Sequence, residues 1–241
     1  LTGQWTSIVL MATTTFDGIT FDGAGIAYYL LSAKAAKAGT FTFKNCEFTN
    51  WDSYWAISNQ FADNTHVNSV VVDNCIFHNA TGAAIHFNEN GPRGAHACDN
   101  LTITNSTFYN LSVVEWVGII QLDGNSGAKQ PNNLTIDHIT MYNYKTSELG
   151  GIVSDVKTNL TLTNSIIANP ALADSSSTAV VHAISQDYKS NSAGSYGTEW
   201  AIYNTAGTKV VATSGGKKTI VPSALAIKAT TTFITTTTAR I

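Results

Sequence analysis

A ten-residue segment recurs along this chain and constrains its fold more tightly than any other feature. FTFKNCEFTN (Phe41 to Asn50), VVVDNCIFHN (Val70 to Asn79), LTITNSTFYN (Leu101 to Asn110), LTIDHITMYN (Leu134 to Asn143) and LTLTNSIIAN (Leu160 to Asn169) follow one scheme. Each has two apolar residues two apart, a polar turn residue, another apolar residue and a closing Asn. The closing asparagines are 29, 31, 33 and 26 residues apart. A repeat that tolerates insertions of this size is the signature of a solenoid, in which each unit buries its apolar face against its neighbours.

Within each unit the spacing is that of a strand. Phe41 and Phe43, Val70 and Val72, Leu101 and Ile103, Leu134 and Ile136, and Leu160 and Leu162 alternate with polar residues, and period two means one buried face. The strand ends at Asn45, Asn74, Asn105, His138 and Asn164. Asn tolerates left-handed backbone angles, and stacked Asn side chains bond to one another in a ladder. Phe48, Phe77, Phe108, Met141 and Ile167 then form an interior spine. A second strand is expected in AISNQF (Ala56 to Phe61), AIHFNE (Ala84 to Glu89), GIIQLD (Gly118 to Asp123), GIVSDV (Gly151 to Val156) and AVVHAI (Ala179 to Ile184). These units predict an all-β, right-handed parallel β-helix, a solenoid. Flanking coils are expected over Gly18 to Leu30 and Trp200 to Val211, with a final strand or cap after Pro222. No linker interrupts the repeats, so residues 1–241 read as a single domain, the simplest account being an excised module of a larger exported protein.

Composition narrows the partners. Charged residues make up 12% of the chain, the net charge is −3 and there are two Arg, Arg93 and Arg240. Nucleic acid needs a basic surface, so it is not an expected partner, nor is an acidic polysaccharide held by many cations. No stretch is apolar enough to span a membrane. Cys46 and Cys75 occupy equivalent positions on successive units and are expected to be free, packed thiols, since stacked side chains rarely present the torsion of a disulfide. Cys98 has no evident partner. No metal site and no cofactor is implied by any Cys/His spacing.

Carboxylate pairs on successive coils, Glu115 with Glu148 and Asp123 with Asp155, are candidates for acid and base roles, against the simpler role of solvated turn acids. His138 replaces a ladder Asn and is expected to be structural. The aromatics are more informative. Trp51, Tyr54 and Trp55 follow Asn50, and Glu115 and Trp116 follow Asn110, whereas the intervening coil carries Ala80, Thr81, Gly82, Ala83 and Ala84. Trp55 and Trp116 would flank a floor of small residues about 9–10 Å across, twice the strand spacing and roughly one disaccharide. A sugar ring stacks its C–H face on such a ring. Gln60, His86, Asn88 and Gln121 would read hydroxyls from the second strands, and Tyr144 would extend the aromatic line. Trp5 and Trp200, near the ends, are expected to cap.

The repeated F-x-N-C-x-F-x-N and L-T-I-T-N-S-x-F-x-N segments, covering Phe41 to Asn169, resemble β-helical modules of bacterial plant-cell-wall degradation systems. Among these is the right-handed β-helical carbohydrate-binding module, family 89. The resemblance implies a secreted, non-catalytic module that binds xylan or a related neutral glycan beside an attached glycoside hydrolase. The alternatives are a β-helical polysaccharide lyase or glycoside hydrolase, and an ice-binding or adhesive solenoid. The Gly-His-Gly and Arg-x-Lys of polygalacturonase-type enzymes are missing, and the outward Thr-x-Thr pattern survives on two of the five repeated segments, Thr102/Thr104 and Thr161/Thr163.

Overall fold

The computed structural model describes residues 5, 7–34, 36–60, 62–88, 90–113, 117–125, 128–146, 150–154 and 158–172, together with the short strands 184–186, 201–203, 209–212, 225–227 and 231–233. The described residues form a right-handed parallel β-helix of about five turns and contain no helix. Three parallel sheets run along the solenoid. Sheet I stacks Thr14–Asp17, Thr40–Lys44, Val67–Asp73, Cys98–Thr104, Asn133–Asp137 and Asn159–Thr163. Sheet II stacks Thr20–Asp22, Glu47–Thr49, Ile76–Ala80, Thr107–Leu111, Thr140–Thr146 and Ile166–Leu172. Sheet III stacks Ile8–Val9, Tyr29–Ser32, Trp55–Ser58, Ala83–Phe87, Ile120–Leu122, Ile152–Ser154 and Ile184–Gln186. Each coil visits the three sheets in that order, so residues about thirty apart in sequence lie side by side at the parallel strand spacing of about 4.8 Å.

The repeat spacing fixes the register. Phe41, Val70, Leu101 and Leu134 are aligned Cα to Cα and fully buried, as are Phe43, Val72, Ile103 and Ile136. The expected spine is present: Phe48 stacks on Phe77 at 4.3 Å and Phe77 on Phe108 at 4.9 Å, with the rings nearly coplanar in orientation. Parallel in-register stacking puts like side chains in contact, which suits flat rings. The flanking coil before the repeats also forms, through Thr20–Asp22 and Tyr29–Ser32.

One expectation at the C-terminal side is corrected: within Trp200 to Val211 the described strands Ala201–Tyr203 and Lys209–Ala212 pair antiparallel with each other, not in the parallel manner of a coil. Of AVVHAI, Ile184 opens the strand Ile184–Gln186, which joins sheet III, and residues 179–183 lie outside the described residues. After Pro222, Thr231–Phe233 pairs with Ile166–Leu172 and Leu225–Ile227 turns back on it antiparallel.

Candidate functional site

Two of the corners between sheets use the same device, a left-handed asparagine, for different ends. At the corner between sheets I and II, Asn45, Asn74, Asn105, His138 and Asn164 have φ of 49–52°, a conformation that Asn and His adopt more readily than other non-glycine residues. The amides there are sealed mainly by carboxylates. Asn45 donates to Asp17 at 2.7 Å, Asn105 to Asp73 at 2.8 Å and Asn164 to Asp137 at 2.8 Å. Hydrogen bonds from Thr104 and then Asn105 hold the Asp73 carboxyl below its usual range. Those from Thr163, His138 and Asn164 hold Asp137 down to about 2. His138 takes a ladder position with the same left-handed backbone, and its Nδ1 lies 2.7 Å from Asp137 Oδ2.

Beneath this ladder runs a buried column of thiols and hydroxyls. Each donates to the carbonyl two residues back: Cys46 to Lys44, Cys75 to Asp73, Ser106 to Thr104 and Ser165 to Thr163. Cys75, Ser106 and Ser165 also accept the backbone N–H of the preceding coil, from Cys46, Cys75 and Ile139. Cys46, Cys75 and Cys98 are free and buried, and burial pushes the Cys75 thiol up to about 12.

The corner between sheets II and III is open. Asn50, Asn79, Asn110 and Asn143 have φ of 50–55° and are solvent-exposed. Asn110 donates to Asn79 Oδ1 at 3.0 Å, Asn143 donates to Asn110 Oδ1, and Asn50 donates to Asp22 at 3.1 Å. The following residues, Trp51, Ala80, Leu111 and Tyr144, turn into the core. The next, Asp52, Thr81, Ser112 and Lys145, face outward again. Between the two outward columns lies a groove of about 470 Å³, with Asn50, Asn79 and Asn110 on one wall and Asp52, Thr81 and Ser112 on the other. Trp51 and Ala80 also line it, between the two walls. Thr81 Oγ1 donates to Asp52 Oδ1 at 2.6 Å and accepts the Ser53 N–H at 3.1 Å, which locks that wall.

An aromatic column borders the amide ladder on the sheet II side. His78, Tyr109 and Tyr142 immediately precede Asn79, Asn110 and Asn143. Their rings stack at 4.9 Å and 5.3 Å with interplanar angles of 5° and 9°, so their edges rather than their faces meet solvent. Glu47 anchors the lower end: its Oε1 is 2.8 Å from His78 Nε2 and its Oε2 accepts from Thr20 at 3.0 Å. These bonds, His78 first and then Thr20, lower the Glu47 pKa. The sequence reading missed this column, although the signal was available: if Phe77, Phe108 and Met141 point inward, the residue after each points outward.

Compared with protein-family models, curated proteins and solved structures, the chain matches none of them.

The residues singled out from sequence divide into three groups. Trp55, His86 and Gln121 come together on sheet III, but inside the protein. Trp55 is 3% exposed and meets the His86 ring edge-on at 4.7 Å. His86 Nε2 lies 3.1 Å from Asp123 Oδ2, and Gln121 donates to Asp123 Oδ1 at 2.9 Å while accepting the Gly118 N–H. Asn88 is buried too, and accepts from Asn59 at 2.6 Å. Gln60 is half-buried and donates to Ser7 at 3.2 Å. Tyr54 is partly covered, with its ring 5.1 Å from both Tyr28 and Tyr29. Trp51 stands apart, in the open corner, and is 1% exposed. Glu115 and Trp116, with Glu148 and Asp155, lie outside the described residues, as does Trp200. Trp5, 61% exposed, packs edge-on against Tyr28 near the N-terminal end.

The trough expected between Trp55 and Trp116 is therefore corrected on the Trp55 side: that ring has no free face. The small residues of the intervening coil have another cause. A Cβ placed on Gly82 would lie 2.2 Å from the Tyr54 carbonyl oxygen and 2.6 Å from Trp51 Nε1. Gly82 leaves room for the Tyr54 carbonyl and the Trp51 ring from the coil below. Tyr144 does not extend an exposed aromatic line, being buried at 1% exposure, and burial raises its phenol pKa.

Proposed function

We propose that this chain is a non-catalytic module that binds a neutral plant-cell-wall polysaccharide, xylan first, in the groove between the asparagine and hydroxyl columns. The observation that carries this is the repeat of amides on three coils, Asn50, Asn79 and Asn110, facing Asp52, Thr81 and Ser112 along one groove. Their pitch, about 4.8 Å, is close to one sugar unit of an extended β-linked chain. An amide offers two donors and two acceptor sites. Within the ladder Asn110 uses one donor toward Asn79 and one acceptor toward Asn143, which leaves a donor and an acceptor for ligand hydroxyls. The ladder also fixes the side-chain rotamers in advance, so little conformational entropy remains to be lost on binding.

The resemblance of the repeats to the family 89 module supports xylan within this class. In that role the module acts outside the cell and raises the local substrate concentration for an attached glycoside hydrolase. Affinities of about −4 to −8 kcal/mol, millimolar to micromolar, are expected. Calorimetry with xylohexaose, mannohexaose, cellohexaose and an oligogalacturonate tests the proposal. Xylohexaose should bind best, with no reducing ends released. Absence of binding to all neutral oligomers, or turnover of any of them, contradicts it.

A further inference from the structure

The outward column of the open corner changes charge along its length. It begins at Asp52, passes the hydroxyls of Thr81 and Ser112, and continues to Lys145, which is paired with Ser112 in parallel register. The Val113 N–H donates to the Lys145 carbonyl at 2.9 Å, which fixes the backbone at that end. Three strand spacings, about 14–15 Å, separate the carboxylate from the lysine along the solenoid axis. Asp52 is already engaged by Thr81 and Ser53. A second carboxylate, Asp22, lies at the same low end, where its oxygen accepts from the backbone N–H of Ala24 and from Asn50, bonds that lower its pKa in that order. Lys145 is exposed, and among the described residues the carboxylates in ion pairs are all paired with histidines. Asn143, two residues earlier, uses one amide proton toward Asn110 and retains the other.

We propose that the groove prefers a glycan carrying a single uronic acid, bound so that its carboxylate meets Lys145 and Asn143 at one end and lies away from Asp22 and Asp52 at the other. This rests on the glycan-binding proposal above and adds to it the acidic substituent and a fixed direction of the chain. One cation serves one carboxylate, so a polyuronate gains nothing beyond the first acid group and meets repulsion at the low end. An exposed ion pair of this kind contributes a modest preference, about two- to fivefold in affinity, and salt screens it.

The test is calorimetry of two probes, xylotetraose and xylotetraose bearing one glucuronic acid side group, with the wild-type chain and Lys145→Gln. At low salt the acidic probe should bind about two- to fivefold more tightly to the wild type. The ratio should fall to about one in Lys145→Gln, and also in wild type at 0.5 M salt, where the screening length is a few Å. Equal affinities in the wild type, or a preference that survives Lys145→Gln, overturns this inference while leaving the neutral-glycan proposal standing. Failure of both probes to bind overturns both.

Discussion

The two asparagine corners are built from the same local conformation and end in opposite states. At the corner between sheets I and II, carboxylates accept most of the ladder amides and a buried thiol and hydroxyl column ties the coils together, leaving a closed ridge. At the corner between sheets II and III the asparagines bond mainly to each other, the residue after each turns inward, and a hydroxyl wall rises opposite. Both corners step inward for one residue and outward at the next: Cys75 is buried and Ile76 exposed, as Ala80 is buried and Thr81 exposed. They differ in what stands outward. At the closed corner the outward residues Glu47, Ile76 and Thr107 already begin the strands of sheet II. At the open corner Asp52, Thr81 and Ser112 stand between strands and form a polar wall opposite the amides.

The largest expected effect concerns Trp51, which lies in the open corner yet belongs to the core. Trp51→Ala should destabilise the fold by about 3–5 kcal/mol, read by chemical denaturation. A surface sugar platform at Trp51 would instead lose affinity with stability unchanged. Substitution of the amides should separate the corners. Asn79→Gly with Asn110→Gly keeps the left-handed backbone available while deleting the groove amides. Xylohexaose affinity should drop about tenfold or more, equivalent to about 1.4 kcal/mol or more. Asn74→Gly at the closed corner should leave binding intact and cost about 1 kcal/mol of stability. Equal effects of the two changes on binding would erase the distinction.

Acid should weaken the closed corner. The pKa values of Asp73 and Asp137 are depressed in the folded state. Their stabilisation is therefore fully present above the unfolded value of about 3.9 and is lost as pH falls through the folded values. Unfolding free energy should change little between pH 7 and 5 from these groups and decline at pH 3 and 2, and Asp137→Asn should flatten the decline. The smallest effect is reserved for Cys75→Ser. A hydroxyl there can make the same two bonds that Ser106 makes, so stability should change by less than about 1.5 kcal/mol. In the wild type, thiol reagents should label Cys75 at neutral pH only after unfolding, because burial keeps the thiol protonated.

Much of this was legible in the sequence. Period two inside a repeat of about thirty residues fixes strands, stacking and an inward spine, and Asn at a constant offset marks the left-handed turns. The site was less legible. Sequence spacing put Trp51 and Trp55 one and five residues after Asn50 but did not say which way each ring faces. That depends on Gly82, one coil away, which leaves the volume that Trp51 fills. His86 and Gln121 were correctly placed on one sheet, yet their hydrogen bonds to Asp123 hold them in the interior. The outward column of His78, Tyr109 and Tyr142 followed from the same alternation that located the spine. Its side chains are marked by nothing but that alternation, whereas the aromatic cluster after Asn50 is marked by composition alone.

Side-chain amide resonances offer the most direct test of a groove built from a ladder. In a nitrogen–proton correlation spectrum, titration with xylohexaose should shift the Nδ2 signals of Asn79 and Asn110 and leave those of Asn74 and Asn105 in place. Shifts confined to Asn74 and Asn105, or no shift at either corner while the sugar binds, would contradict the account.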